Sequence, residues 1–282
     1  MKNSNLQEMI LSFLAEDTGE GDHSSLACIP ADAQGKAKLL IKEKGVIAGL
    51  SIAKLVFNSV DQDLCADFIL KDGDIVNPGQ IAFNVSGRQQ SILKVERLLL
   101  NILQRMSGIA TSTHDYVLKL EGLKTKILDT RKTTPGFRFF EKEAVRIGGG
   151  MNHRMGLYDM IMLKDNHIDY AGGIANALEA TGKYLRKNNL HLKVEIEARN
   201  LSDVESILNS GGADRIMLDN FNVENTMKAV QLIAGRTETE SSGGITLETI
   251  RSYAECGVDY ISVGALTHHV KSLDLSLKAV RI

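Results

Sequence analysis

Lys126-Ile127-Leu128-Asp129-Thr130-Arg131-Lys132-Thr133-Thr134-Pro135-Gly136 is the stretch on which the reading of this chain turns. A short apolar entry, Lys126–Leu128, runs straight into two adjacent cations and then a Pro-Gly stop. Pro135 and Gly136 break regular structure, so Arg131 and Lys132 stand at a strand exit, on or beside a loop. Arginine offers a planar fork of donors and lysine a mobile point charge, a combination suited to carboxylate or phosphate. On an isolated turn the same pair would be ordinary solvated charge. Its weight comes from the rest of the chain.

Toward the C-terminus the pattern repeats. Short apolar runs at Met160–Leu163, Leu192–Ile196, Arg215–Leu218, Thr237–Glu240 and Tyr260–Val263 alternate with helical segments over 171–187, 202–210, 223–234 and 246–255. Repeated strand–helix units predict a parallel sheet. Six or seven such units fit a closed or nearly closed (β/α) barrel better than a doubly wound sheet, and no GxGxxG follows any of these strands. Asp159–Asn166 echoes Asp214–Asn220: each is a buried strand followed at once by charge.

The residues just past each strand form a series. Arg131 and Lys132 follow the first and Lys164 the second. Glu195 and Glu197, two apart and therefore on one face, sit in the third. Asp219 follows the fourth, Ser242-Gly243-Gly244 the fifth and Ser262-Val263-Gly264 the sixth. Barrels carry their chemistry at these C-terminal strand ends. The glycine turns come last, where backbone N–H groups and a helix start bind phosphate. A second cationic cluster, Asn152-His153-Arg154-Met155-Gly156, follows Gly148-Gly149-Gly150, and His153 is a candidate acid–base group. The candidate site is thus Arg131, Lys132, His153, Arg154 and Lys164 against Glu197 and Asp219. So many cations suit a substrate with several negative charges. The carboxylates suit sugar hydroxyls, or Mg²⁺ held mainly by phosphates.

The N-terminal third reads differently. Leu6, Met9, Ile10, Phe13 and Leu14 recur at helical spacing. Asp22 and His23 in the following loop are either a metal pair or a helix cap, with no third ligand nearby. Residues 35–90 are β-rich around a helix at 51–60, which predicts a small α+β domain. A long helix over 91–120 places Ile92, Val95, Leu99, Ile102, Leu103 and Met106 on one face and Arg97, Asn101 and Gln104 on the other, with a break expected at Ser107-Gly108. The 33 basic residues nearly balance the 35 acidic ones, which argues against a nucleic-acid partner. Three scattered cysteines form neither a zinc cluster nor a disulfide framework and fit a reducing compartment. The opening residues are polar, unlike a signal peptide, and no apolar run approaches the ~20 residues of a membrane helix. The expectation is a cytoplasmic protein with no membrane partner.

Several of these stretches together resemble quinolinate phosphoribosyltransferase (nicotinate-nucleotide pyrophosphorylase, carboxylating). They are Asp129–Gly136, Gly148–Arg154, Leu163–His167, Glu96-Arg97 with Leu103–Thr111, Val194–Glu197, Leu218–Phe221 and Ser242–Ile245. Gly211–Asp214 is one residue longer than the family pattern, which leaves both Glu195 and Glu197 eligible as the site carboxylate. The resemblance implies an N-terminal α+β sandwich domain with its linking helix (1–108), an incomplete (β/α) barrel (109–267) and a C-terminal tail returning to the first domain (268–282). It implies a homodimer with shared sites, Arg97 coming from the neighbouring subunit. The implied reaction joins quinolinate to 5-phosphoribosyl 1-diphosphate with Mg²⁺, giving nicotinate mononucleotide, diphosphate and CO₂ in de novo NAD synthesis. Arg97, Thr130, Arg131, His153, Arg154 and Lys164 would bind substrate, with Lys132, Lys164, Glu197 and Asp219 as catalytic residues. The turns Ser242-Gly243-Gly244 and Val263-Gly264-Ala265 would take the 5-phosphate. No dedicated organic cofactor and no direct protein ligand for the metal is implied.

Two rivals belong to other classes. One is a barrel lyase or epimerase acting on a phosphorylated sugar, with Lys164 as Schiff-base nucleophile. The other is an anion- or metal-binding relative without turnover.

Overall fold

The computed structural model describes residues 3–280. The chain opens with α1 (Asn3–Thr18), α2 (His23–Cys28), β1 (Gln34–Ile41), β2 (Gly45–Val46), α3 (Leu50–Val60), β3 (Cys65–Phe68), β4 (Ile75–Val76), β5 (Ile81–Arg88) and the 31-residue α4 (Gln89–Lys119). Next come β6 (Lys126–Leu128), α5 (Arg138–Ile147), β7 (Ile161–Leu163), α6 (Asp165–Tyr170), α7 (Ile174–Asn188), β8 (Val194–Ala198) and α8 (Leu201–Ser210). The chain ends with β9 (Arg215–Asp219), α9 (Val223–Ile233), β10 (Glu238–Ser242), α10 (Ile250–Ala254), β11 (Tyr260–Ser262), α11 (Ala265–His268) and β12 (Leu275–Val280).

Two compact units result. The first comprises the chain up to His114, Thr134–Gly149 and the chain from His269. Its antiparallel sheet has the order β12-β1-β5-β3, with β2 and β4 as a separate pair. The C-terminal strand β12 pairs with β1, Leu277 opposite Leu39. Phe57, Phe68 and Phe83 cluster with ring centroids 5.2–5.6 Å apart, and Phe13, Phe137 and Phe140 form a second cluster. Arg105 of α4 reaches buried Glu141 of α5 at 2.6 Å. Phe57, Phe83 and Phe140, fully buried in these clusters, each contribute roughly 1.5–3 kcal/mol over the exposed state. The helix over 91–120 is real, and its expected apolar face is buried. The break at Ser107-Gly108 is not: α4 is continuous there. Gly108 serves close packing instead, since a Cβ at that position would run into the Lys271 carbonyl. Asp22 is a cap: it heads α2 and accepts from the Ser25 N–H at 3.1 Å.

The second unit comprises Asp115–Thr133 and Gly150–His268. Its six parallel strands are ordered β6-β11-β10-β9-β8-β7. That order is the chain order read around a ring, with β11 brought back to β6, Ser262 opposite Leu128. A doubly wound sheet would instead reverse at a switch point. Among the described residues β6 and β7 do not pair, so the ring has one seam, where Met151 makes a single parallel bridge to Leu128. This is an incomplete (β/α) barrel. Val194, Ile196 and Ala198 of β8 and Ile216 and Leu218 of β9 are buried and apolar, alternating with Glu195 and Glu197, and with Arg215, Met217 and Asp219. The period-two pattern therefore separates an apolar face from a polar one. Helices α8, α9 and α10 bury Val204, Ile207, Ala229, Ile233, Ile250 and Ala254. The register aligns the strand ends at one rim: Leu163 pairs with Ile196, Ala198 with Leu218, and Asp219 with Ser242. The helix expected over 171–187 is α7, which starts at Ile174 after Gly172-Gly173, with the short α6 ahead of it, and that over 246–255 is shortened to Ile250–Ala254.

Candidate active site

The exit of β6 is tied down by Asp129, which is fully buried. Its carboxylate accepts the Asn152 side-chain amide at 2.6 Å and the His153 backbone N–H at 2.8 Å. Asp129 N–H donates to the Met151 carbonyl at 3.2 Å. The segment after the triple glycine is thereby held against the first strand end, which brings Arg154 to Arg131. Burial lowers the basicity of the Arg154 guanidinium, and the Arg131 charge beside it lowers it further, while Glu195, Asp159 and Glu197 act in the opposite sense. Arg154 Nη1 donates to the Met160 carbonyl at 3.2 Å. Arg131 Nε is buried without a hydrogen-bond partner among the described residues. A buried, unsatisfied guanidinium donor beside a second arginine is the arrangement that an incoming oxyanion completes.

The acidic side lies at the next strand ends. Lys164 Nζ is paired with Glu197 Oε1, and Glu197 Oε2 accepts the Asp165 N–H at 3.1 Å. Burial raises the Asp219 carboxyl above its usual range, Glu197 raises it further, and Asn220 and Lys164 pull it back. Asn220 Nδ2 donates to Asp219 Oδ2 at 2.8 Å. Asn220 itself has a positive φ of 57° and donates its N–H to the Ser242 carbonyl at 2.8 Å. Gly243, at φ 100°, packs directly against Asn220: a Cβ there would collide with Asn220 Oδ1. The glycine is required both for its conformation and for this close approach. Glu197, not Glu195, is the carboxylate at the rim. Asp219 is an oxygen ligand of the kind a partly hydrated Mg²⁺ takes, with Glu197 already engaged by Lys164.

The remaining turn closes on Lys132. The Val263 N–H donates to the Leu128 carbonyl at 3.0 Å, and Thr267 Oγ1 donates to the Lys132 carbonyl at 2.8 Å. A Cβ on Gly264 would lie 2.9 Å from His268 Nε2 and 3.2 Å from Lys132 Cδ. Lys132 thus shares its surroundings with Gly264, Ala265 and His268, a histidine not singled out from the sequence. Thr130 Oγ1 accepts the Lys132 N–H at 3.1 Å. Ser242, Gly243 and Gly244 form the neighbouring turn. Arg97 is exposed on α4, in the first unit.

Below the rim the barrel interior is charged. His153 Nε2 lies 3.0 Å from Glu195 Oε2 and 3.5 Å from Glu240 Oε2. Arg215 Nη1 lies 2.9 Å from Glu240 Oε2, and its guanidinium sits 3.9 Å over the Tyr260 ring. Burial opposes charge on His153, while the two carboxylates push the imidazole up. The Arg154 N–H, aimed at Nδ1 from 2.7 Å, pulls the other way, because a second proton on that nitrogen would face it. Burial and Glu240 raise Glu195, whereas contacts with His153, Ser262 and Arg215 hold Glu240 below its usual range against burial. The spacing of His153, Glu195 and Glu240 is one that a metal ion accepts. Arg215 already supplies positive charge at that point.

Residues 22–107 match the family model described as quinolinate phosphoribosyl transferase, N-terminal domain, and residues 109–278 match that of the C-terminal domain. The chain belongs to the quinolinate phosphoribosyltransferase family. It is 48% identical to the chloroplastic nicotinate-nucleotide pyrophosphorylase [carboxylating] of Arabidopsis thaliana, over 97% of this chain and 82% of that protein. It is 41% identical to the probable nicotinate-nucleotide pyrophosphorylase [carboxylating] of Bacillus subtilis, over 98% of this chain and 94% of that one. The crystal structure of NadC from Streptococcus pyogenes superposes with a TM-score of 0.92 at 40% identity, covering 99% of this chain and 97% of that one. For a quinolinate phosphoribosyltransferase, the strand-end cations and the paired carboxylates now have a common address in the barrel unit.

Proposed function

We propose that this protein transfers phosphoribosyl from 5-phosphoribosyl 1-diphosphate to quinolinate with decarboxylation, yielding nicotinate mononucleotide, diphosphate and CO₂ for NAD synthesis. The single observation that carries this reading is the Arg131–Arg154 pair at the barrel rim, with Lys164, Glu197 and Asp219 within electrostatic reach. A guanidinium at Arg154 whose charge is opposed by burial and by neighbouring Arg131 is stabilised by a dianion, and quinolinate carries two adjacent carboxylates.

The chemistry asks three things of the chain. Arg131, Arg154 and Lys164 hold the pyridine carboxylates by charge-assisted hydrogen bonds, with Arg97 supplied from the neighbouring subunit of a homodimer. As diphosphate leaves ribose C1, oxocarbenium-like charge builds there, and Glu197 and Asp219 hold the ribose hydroxyls and offset it. Asp219 would be the protein oxygen that holds a Mg²⁺ ion brought by the diphosphate donor, and the ion would supply charge neutralisation of the leaving group. Lys132, with Thr130 fixing its backbone, supports the diphosphate. The turns Ser242-Gly243-Gly244 and Val263-Gly264-Ala265 take the 5-phosphate through backbone N–H groups. Once the ring nitrogen is alkylated, its positive charge stabilises the electron pair left on the ring carbon when CO₂ departs. A proton then replaces the carboxylate. Positioning and electrostatics supply most of the rate.

Two exposed free thiols, Cys28 and Cys65, support a reducing compartment such as the cytoplasm. No helix among the described residues is long and apolar enough to cross a membrane. The assay is release of CO₂ and diphosphate from quinolinate plus the phosphoribosyl donor. Arg131→Ala and Arg154→Ala are each expected to raise the quinolinate KM by about 10²-fold, in the range for losing a charge-assisted hydrogen bond. Near-normal quinolinate affinity in both variants would remove them from the carboxylate site.

A further inference from the structure

Glu195, Arg215 and Glu240 have no part in the reaction as derived above, yet all three are buried in the barrel interior. Burying ionised groups is costly, and each must be paired to persist. Glu195 and Arg215 are direct partners in the β8–β9 register. Arg215 Nη1 touches Glu240 Oε2 at 2.9 Å and lies 3.7 Å from Glu195 Oε2, while Nη2 reaches Glu238 at 3.2 Å. On their other side both carboxylates face His153 Nε2.

The opposite edge of the imidazole supplies the link to the substrate site. His153 Nδ1 accepts the backbone N–H of Arg154 at 2.7 Å. The His153 N–H is bound in turn by Asp129 Oδ1 at 2.8 Å. Two successive peptide N–H groups are therefore pinned, one by a carboxylate and one by the ring. With Nε2 facing two carboxylates and Nδ1 accepting from the backbone, the ring presents the tautomer with hydrogen on Nε2. The His153 side chain, 4% exposed, turns both nitrogens toward protein groups and not toward a ligand.

We propose that Glu195, Arg215 and Glu240 are positioning residues for the quinolinate subsite: through the His153 ring they fix the Arg154 backbone and aim its guanidinium, beside Arg131, at a pyridine carboxylate. This rests on the reaction proposed above, and it changes the task of His153 from donor to carboxylate into spacer between the cluster and Arg154. Arg215 favours the ionised form of both carboxylates, which face Nε2.

Glu240→Ala removes one ring contact, whereas Glu240→Gln retains an acceptor of the same shape. Loss of well-made positioning predicts a quinolinate KM about tenfold higher in Glu240→Ala, with the KM for the phosphoribosyl donor within about twofold of wild type and most of the loss recovered in Glu240→Gln. Glu195→Gln is expected to behave like Glu240→Gln. In the wild-type protein labelled with ¹⁵N at histidine, long-range ¹H–¹⁵N spectra should show His153 protonated at Nε2 and bare at Nδ1, the signal assigned by its loss in His153→Gln. The spectrum decides the matter even where Glu240→Ala does not fold. An Nδ1–H tautomer, an unchanged quinolinate KM in a folded Glu240→Ala, or both KM values rising together would overturn the proposal. Absence of CO₂ release from wild type would instead sink the reaction, while the tautomer would still test whether the cluster orients His153.

Discussion

Lys164 and Glu197 are paired across adjacent strand ends, and the same carboxylate takes the Asp165 N–H at the start of α6. The cation expected to meet substrate is therefore held by an acid before substrate arrives. This pairing pre-orients both groups and shields each from the other's neighbours. Lys164→Ala should lower kcat/KM about 10²-fold or more, with the far-UV circular dichroism unchanged because the lysine is nearly half exposed. Borohydride in the presence of substrate should trap nothing on Lys164; a trapped adduct would favour the Schiff-base rival.

Asp219 gives the enzyme an acid limb. Its folded carboxyl is raised, by burial first and Glu197 second, so the proton leaves only above the usual aspartate value of 3.8. In the proposed reaction ionised Asp219 is the form that offsets oxocarbenium charge, so kcat/KM for the phosphoribosyl donor should fall on acidification at a pH above that value. Lys164→Ala removes a stabilising charge and should move the limb to higher pH. An unmoved limb in that variant would detach Asp219 from it. For stability the sign is opposite: a raised carboxyl favours the fold at low pH and loses that contribution as pH rises through its folded value.

Gly243→Ala tests the turn rather than a charge. The added methyl meets Asn220, whose backbone N would lie 2.9 Å away, on a residue whose φ of 100° disfavours any side chain. Asn220 must shift, and it carries the hydrogen bond to Asp219. The expected result is a loss of about 1–3 kcal/mol of stability and a donor KM raised at least about tenfold. Urea denaturation and steady-state kinetics read the two separately.

Asp61 predicts acid sensitivity in the first unit. Hydrogen bonds from Arg88 at 2.8 Å and Ser91 at 2.7 Å lower its carboxyl from 3.8 to about 2, overcoming burial. A depressed carboxyl stabilises the fold above its unfolded pKa and loses that contribution as pH falls through the folded one. The urea midpoint of the wild type should therefore drop between about pH 4 and pH 2. Asp61→Asn should begin less stable at neutral pH and lose less over that interval.

The barrel strands were readable because helices on one side and a closed interior on the other leave short apolar runs with charge at their ends. Arg131, Lys164 and Asp219 stood out for that reason. Arg215 and Glu240 did not, and Glu195 was marked only as an alternative to Glu197, because a charged residue inside a strand looks the same whether it faces water or a barrel interior. A signal existed in the alternation Glu238-x-Glu240-x-Ser242 beside Arg215-x-Met217-x-Asp219, which a surface strand between two buried helices has no reason to show. β2 and β4, two residues each, are too short for any period to register. Gly108 is needed within α4 because the Lys271 carbonyl packs against it, and no local reading reaches a partner that far along the chain. His153 stood out from the sequence as a candidate, but its orientation did not, since the groups around it come from several strand ends at once.

The seam between β6 and β7 has a consequence for what the rim is able to hold. In a fully staved barrel, backbone ladders would run through the gap that follows Leu128. Here that gap is bordered by Asp129–Lys132 on one side and Asn152–Arg154 on the other, joined by the lone Met151 bridge. Leaving out wall makes room for two bulky cationic forks side by side, and lets them adjust to an arriving dianion without tearing a continuous run of strand pairing.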